Sequence, residues 1–256
     1  MQVALPQSFL TRPIAHRGYF NPAARIPENA LSAFEAAARA GYAIELDVQM
    51  SRDGQAMVFH DDSLDRLTAE QGAVLTYTAA ELGKIILTNS ADFIPTLSQV
   101  LQLVAGRVPI LIEIKDPSGD MGETSGRLEQ ATIAALSTYR GGVAVMSFNP
   151  ACIVACARLA PQLARGLTTE YFAHDQNPLL APAVCDRLRQ IADYEASQSS
   201  FISHRFTDLN YPRVAELKRQ GAAILCWTIH TPEQEAQARM VAHNITFEGY
   251  AAAFPA

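Results

Sequence analysis

Positive charge is scarce in this chain: 20 Lys and Arg stand against 26 Asp and Glu, for a formal charge of −6. Such a surface repels a phosphate backbone, whose recognition draws most of its affinity from Lys and Arg, so nucleic acid is excluded as a partner. Any anion must instead be met by a few local cations in a pocket, which points to a small molecule. Long apolar runs are also missing. The most apolar stretch, LQLVAGRVPILIEI, is broken by Gly106, Arg107 and Pro109, short of the roughly 18 uninterrupted residues of a membrane span. No stable membrane insertion is expected. The opening MQVALPQSFLTRP has no basic region followed by an apolar run, so it does not read as a secretory signal, and the expectation is a soluble, cytoplasmic protein. Cysteine numbers only four. Cys152 and Cys156 stand at i,i+4 in CIVACARLA and read as the buried face of a helix. Cys185 and Cys226 are isolated, and no spacing suggests zinc or a disulfide framework.

What is present is core-forming material in quantity. With 256 residues, 49% of them hydrophobic, the chain can bury one large core and has the usual size of a single α/β barrel. One domain over 1–256 is the expectation. Short β-rich runs recur with amphipathic stretches between them, the pattern of βαβ units and a parallel sheet. The strand candidates are RPIAH, YAIELDVQM, VPILIEIK, GVAVMSF, ARGLTT, SFISH, AAILCWTI and NITFEG. Eight such runs fit a closed (β/α)8 TIM barrel. ENALSAFEAAARAG reads as a helix with Asn before its apolar pattern and Gly after it, and TLSQVLQLVAG and YPRVAELKRQG end in the same way.

One interval does not fit a plain β/α repeat. Residues 51–95 include a strand-like AMVFH after a DG turn and read as an insertion on one rim of the barrel. In such barrels the loops after the strands carry the chemistry. A second irregular stretch, DPSGDMGETSG at 116–126, follows the third strand on the same rim and is expected to act as a mobile lid.

Side-chain alternation in the second strand sends Glu45 and Asp47 one way and Ile44, Leu46 and Val48 the other. The apolar set faces the helices, so both carboxylates point into the barrel, where uncompensated like charges are costly. The third strand repeats this, with Ile110, Ile112 and Ile114 on one face and Leu111, Glu113 and Lys115 on the other. Three inward carboxylates therefore converge near one rim. A buried ion-pair network with Lys115 and Arg17 is one reading. A bound divalent cation, Mg²⁺ or Ca²⁺, is the better one, because hard cations prefer clustered carboxylates. The absence of Cys from the cluster argues against zinc. His16 and Arg17 close the first strand in IAHRGYF. The planar fork of Arg17 suits phosphate, and Gly18 permits close backbone approach. His60, in VFHDD on the same rim, provides a second imidazole, and two histidines supply a base and an acid near neutral pH.

With these residues in place, the sequence resembles the glycerophosphodiester phosphodiesterases, a family related in fold and mechanism to bacterial phosphatidylinositol-specific phospholipase C. The resemblance lies in HRG (16–18), PEN (27–29), ELDVQMSRDGQAMVFHDDSLDRLT (45–68), IPTLSQVL (94–101) and IEIK (112–115), with CWTI (226–229) as a weaker late match. It implies that Glu45, Asp47 and Glu113 ligate one divalent cation and that His16 and His60 form the acid–base pair. It also implies that Arg17 and Lys115 bind phosphate, that Trp227 lies near the glycerol, and that the insertion closes over the glycerophosphate end. The implied reaction is metal-dependent hydrolysis of a glycerophosphodiester to sn-glycerol 3-phosphate and an alcohol. A lysophospholipase D activity on longer lipids and a non-catalytic phosphodiester-binding barrel are the alternatives. This chain departs from the family with His230 after the Trp-containing strand and TFEGY, carrying Glu248, in place of Thr-Asp-x-Pro. Asn29 either orients the site or caps the following helix. His174 and His243 read as solvated or capping, and His204, at a strand end, is a weaker pocket candidate.

Overall fold

In the computed structural model, which describes residues 2–116 and 118–255, nine strands alternate with helices. The strands are β1 (Ile14–Ala15), β2 (Ala43–Met50), β3 (Ala56–Val58), β4 (Ile110–Ile114), β5 (Val143–Ser147), β6 (Ala164–Thr169), β7 (Phe201–Arg205), β8 (Ala223–Ile229) and β9 (Asn244–Phe247). The helices are α1 (Ser8–Thr11), α2 (Leu31–Ala40), α3 (Ala79–Leu82), α4 (Leu97–Val104), α5 (Arg127–Leu136), α6 (Pro150–Leu159), α7 (Pro182–Arg189), α8 (Pro212–Arg219) and α9 (Pro232–Ala238). All strands but β3 run parallel, and β1 pairs with both β2 and β9, which closes an eight-stranded (β/α)8 barrel. Each run expected to be a strand contains one.

The strands form where they do because their residues are buried on both faces. Ile44, Leu46, Val48, Ile110, Ile112 and Ile114 pack outward against Leu97, Val100, Leu101 and Val104 of α4. Inward, Ile14, Ala43, Leu111, Ala144, Met146, Phe201 and Leu225 fill the barrel floor, and Leu5 and Phe9 join this cluster from the chain start. Phe201 fits because Gly166 faces it: a Cβ there would lie 2.5 Å from the Phe201 ring. Burying such an aromatic contributes about 2–3 kcal/mol, so the floor is a packed core and the polar residues are confined to the opposite end.

Residues 51–95 begin with a turn at Gly54 (φ +82°) that sends β3 back antiparallel to β2, pairing Val48 with Val58. The segment gathers Met57, Phe59, Leu64, Val74, Leu82, Leu87 and Ile94 into a small core of its own. α3 starts with a capping box between Thr78 and Glu81, and α4 with one between Thr96 and Gln99. The Asn29 alternative is decided differently. Ala30 is the N-cap of α2, without a side-chain cap, and Asn29 turns inward to β2. The expected lid, 116–126, joins β4 to α5; Pro117 lies outside the described residues. Its start is held by Asp116, whose Oδ2 accepts from the Met121 N–H (3.0 Å) and from Asn149 Nδ2 (3.1 Å). The four cysteines are buried and unbridged, and no helix among the described residues is long and apolar enough to cross a membrane.

Candidate active site

The register of β2 against β4 pairs Asp47 with Glu113, so alternation on each strand delivers both carboxylates to the same level of the barrel interior, with Glu45 beside them. One carboxylate oxygen from each of Glu45, Asp47 and Glu113 lies within 4.8 Å of the others, and all three residues are buried. Lys115, just past β4, reaches back between two of them, its Nζ 2.7 Å from Asp47 Oδ1 and 2.5 Å from Glu113 Oε1. Arg17 Nε is 3.6 Å from Asp47 Oδ2. Asn29 grips Asp47 from both sides: Nδ2 donates to Oδ2 at 2.8 Å, and Oδ1 accepts from the Asp47 N–H at 3.3 Å.

The loop after β1 is stitched to β2. The Arg17 N–H donates to Glu45 Oε2 (2.9 Å), the Gly18 N–H to the Glu45 carbonyl (3.1 Å), and the Asn29 N–H to the Arg17 carbonyl (2.9 Å). Arg17 and Asn29 take left-handed backbones, φ +55° and +56°, a conformation that costs a non-glycine residue roughly 1 kcal/mol and persists where surrounding contacts enforce it. Gly18 (φ +82°) is required here because a Cβ would sit 2.9 Å from Ala33 Cβ.

Each of the two histidines is held at Nδ1 by a carboxylate. His16 Nδ1 meets Glu248 Oε2 at 2.5 Å, and His60 Nδ1 meets Asp61 Oδ1 at 2.7 Å. An ionised carboxylate only accepts, so Nδ1 carries the hydrogen and Nε2 is the nitrogen left for proton exchange. Glu248 also has His230 Nδ1 3.4 Å from its other oxygen. Trp227 lies on the Leu225 side of β8, donates from Nε1 to the Ser203 carbonyl (2.9 Å) and packs edge-on against Phe148 at 5.4 Å. A cavity of about 250 Å³ opens beside His60, Glu113 and Lys115, with Asp116, Met121 and Phe148 as its far wall. A larger groove of about 820 Å³ lies on the outside of the barrel against α6 and α7, sharing Met121 with this cavity but lined by none of His16, Arg17, Glu45, Asp47, His60, Glu113, Lys115 or Trp227.

The electrostatics follow from crowding in a dry site. Burial, with repulsion from Asp47 and Glu113, pushes the Glu45 carboxyl well above the ordinary carboxylate range. Burial acts the same way on Asp47, but Lys115, His60 and Arg17 outweigh it and hold that carboxyl below its usual value. Burial disfavours the Lys115 ammonium, yet Asp47 and Glu113 overcompensate and keep it charged. The His60 imidazole is pushed down by burial, against the pull of Asp47. These donors suit a hard dication. They are all carboxylate oxygens, and a +2 charge beside them relieves the like-charge repulsion that raises Glu45.

The sequence-predicted residues Glu45, Asp47, Glu113, Lys115 and Arg17 thus meet at one end of the barrel, with His16, His60 and Trp227 on strand ends and loops of that same end. His204 does not join them: it shares the outward face of β7 with Ile202, and its Nδ1 pairs with Thr169 Oγ1 at 2.7 Å. His174 is exposed and pairs with Asp186, and His243 accepts from the Ile224 N–H. Of the carboxylates behind the active groups, the sequence pointed to no role for Glu28 or Asp61 and marked Glu248 only as a departure from the family pattern. Glu28 accepts from Arg17 Nη1 at 2.6 Å, Asp61 holds His60, and Glu248 holds His16. Adjacency was the available signal for the first two, in PEN and HDD. For Glu248 there was none, since it is 232 residues from His16.

A family model described as the glycerophosphoryl diester phosphodiesterase family matches residues 16–246. Among curated relatives, a glycerophosphodiester phosphodiesterase of Caldanaerobacter subterraneus subsp. tengcongensis is 34% identical over 163 residues, 60% of this chain and 65% of that protein. One of Bacillus subtilis is 27% identical over 254 residues, covering 88% of this chain and 78% of its own. Among solved structures, an Oleispira antarctica phosphodiesterase in complex with the product sn-glycerol-3-phosphate superposes with a TM-score of 0.76 at 23% identity, covering 94% of each chain.

Proposed function

Because the chain belongs to the glycerophosphoryl diester phosphodiesterase family, as the match over residues 16–246 shows, we propose that it is a metal-dependent enzyme that hydrolyses glycerophosphodiesters to sn-glycerol 3-phosphate and an alcohol. The observation that carries this reading is the pair of imidazoles, each fixed at Nδ1 by its own carboxylate, placed around a buried carboxylate triad. A named relative acting on glycerophosphodiesters supports the same substrate class.

Glu45, Asp47 and Glu113 would hold one divalent cation, Mg²⁺ or Ca²⁺, which when bound neutralises charge on the phosphodiester. Arg17 binds the same phosphate. Among the described residues its buried Nε makes no hydrogen bond, Asp47 Oδ2 standing 3.6 Å away, which leaves a donor for a ligand oxygen. Lys115 adds a second positive charge from the other side of Asp47. His16 takes the proton of the attacking hydroxyl, whether of water or of the neighbouring glycerol carbon, and Glu248 stabilises the imidazolium that results. His60 delivers a proton to the departing alkoxide, and burial, which favours its neutral form, makes that proton easy to release. Trp227 and Phe148 supply an apolar wall for the carbon skeleton of the glycerol. Residues 51–95 act as the rim insertion of a single barrel domain and carry His60 over the phosphate.

The test is a panel of glycerophosphodiesters and lysophospholipids incubated with Mg²⁺, Ca²⁺ or Mn²⁺, reading glycerol phosphate and free alcohol. Turnover of glycerophosphocholine or glycerophosphoethanolamine is expected, with loss on His16→Ala and His60→Ala. Preference for lysophospholipids would replace this reading with a lysophospholipase D. Binding without turnover under every metal would replace it with a binding protein.

A further inference from the structure

We propose, resting on the reading above, that Arg66 is a positioning residue whose single guanidinium couples the phosphate grip of Arg17 to the proton donor His60. The connection between the two is continuous. Arg17 Nη1 donates to Glu28 Oε1 at 2.6 Å. The same carboxylate receives Arg66 in a two-point clasp, Nη1 to Oε2 at 3.0 Å and Nη2 to Oε1 at 2.8 Å. Arg66 then turns its other edge to Asp61, Nε to Oδ2 at 2.6 Å and Nη2 to Oδ1 at 2.8 Å. Asp61 Oδ1 finally meets His60 Nδ1 at 2.7 Å.

Each active group is therefore aimed by a carboxylate, and each carboxylate is aimed by Arg66. A guanidinium is suited to this because its donors lie in one rigid plane along two edges, whereas an ammonium offers a point charge without a fixed fork. The parts joined come from separate stretches of chain: Glu28 belongs to the loop before α2, while Asp61 and Arg66 belong to residues 51–95. Arg66 thus docks the segment carrying His60 onto the loop carrying Arg17. Its side chain is 47% exposed, and ion pairs made by exposed side chains add little to stability. The clasp sets geometry more than it sets folding. Arg66 also holds the Asp61 carboxyl down at about 2 through its hydrogen bonds, which keeps that group an acceptor for the His60 N–H.

Removal of Arg66 should then loosen two functions together. The phosphate grip weakens through Glu28 and Arg17, raising KM for every substrate. Protonation of the leaving group weakens through Asp61 and His60, lowering kcat only where the departing alkoxide needs a proton. The experiment compares wild type, Arg66→Met, Arg66→Lys, His60→Ala and the Arg66→Met/His60→Ala double variant on glycerophosphocholine and on a glycerophosphoryl aryl ester, in the full chain with Mg²⁺ or Ca²⁺ supplied. General acid catalysis is worth on the order of 10²- to 10⁴-fold, and displacement of the acid should lower the rate roughly 10- to 100-fold. Arg66→Met is therefore expected to lower kcat on glycerophosphocholine by that factor, to lower it far less on the aryl ester, and to raise KM on both. Arg66→Lys should restore only part of the loss, and melting temperatures should shift little. In the His60→Ala background, Arg66→Met should no longer change the ratio between the two substrates. A loss equal on both substrates, or an unchanged substrate ratio effect in the absence of His60, overturns the coupling. If His60→Ala itself distinguishes the two leaving groups while Arg66→Met does not, the coupling alone falls. If His60→Ala does not distinguish them, the assignment of His60 falls and the coupling with it.

Discussion

Replacing Glu45 by Gln should make the metal-free protein more stable while abolishing its response to divalent cations. Among the described residues Glu45 forms no ion pair, whereas Asp47 and Glu113 share Lys115. One of its oxygens lies within 4.8 Å of an oxygen of each, a separation at which two unit charges repel by about 3.5 kcal/mol at an effective dielectric of about 20. Lys115 and partial uptake of a proton by Glu45 discharge some of that, leaving about 2 kcal/mol for the substitution to relieve. Gln keeps the size of the side chain and an oxygen to accept the Arg17 N–H, so no cavity and no orphaned donor result. For a chain of this size a gain of 2 kcal/mol corresponds to a rise in Tm of roughly 4–8 °C. The assay is thermal unfolding in chelator and then across a Mg²⁺ and Ca²⁺ titration. Wild type should be the less stable protein in chelator and should climb with cation, by about 2.7 kcal/mol at a hundredfold excess over Kd. The Gln variant should start higher and stay nearly flat. A Gln variant less stable than wild type in chelator, or a wild type whose Tm ignores the cations, would refute the reasoning.

Three further outcomes are expected. Arg17→Lys keeps the charge but loses the fork, and with hydrogen bonds to charged groups worth about 1.5–3 kcal/mol, kcat/KM should fall roughly 10- to 100-fold with Tm held; an unchanged kcat/KM removes Arg17 from the phosphate. Glu248→Gln removes the charge facing His16 Nδ1 and should lower kcat on the order of 10²-fold with little change in KM, because the imidazolium forms only as the reaction proceeds; a KM effect alone would show that Glu248 merely shapes the pocket. Burial lowers the His204 imidazole from 6.5 to about 4, so the unfolded chain takes up this proton first. Its contribution, about 3 kcal/mol, is present above pH 6.5 and lost as pH falls toward 4; urea midpoints between pH 7 and 4.5 should drop less steeply in His204→Gln than in wild type, and parallel curves would count against it.

The fold was legible because two periodicities in the sequence have only one joint solution. Alternation in AIELDVQM and ILIEI, with apolar residues required on the helix side, forces Glu45, Asp47 and Glu113 inward whatever the rest of the chain does. Eight such runs separated by helices then close into a barrel. Composition likewise determined that any anion is met locally. His16, Arg17 and His60 were visible as the groups at strand ends on one rim, where a barrel presents its chemistry. Sequence stopped at the partners of those groups. Asn29 was undecided between cap and ligand support until the turn at φ +56° aimed it at Asp47. His204 sat at a strand end like the others, and only the facing of β7 sent it away from the pocket.

What tertiary structure decided was contact across long separations. Barrel closure, through β1 against β9, brings Glu248 to His16 over 232 residues, and the packing of residues 51–95 on the rim brings Arg66 to Glu28 over 38. A local pattern records which face a side chain takes, because that is fixed by backbone geometry within a few residues. It does not record which distant carboxylate will meet that side chain, because the meeting depends on how the closed barrel and its rim loops pack.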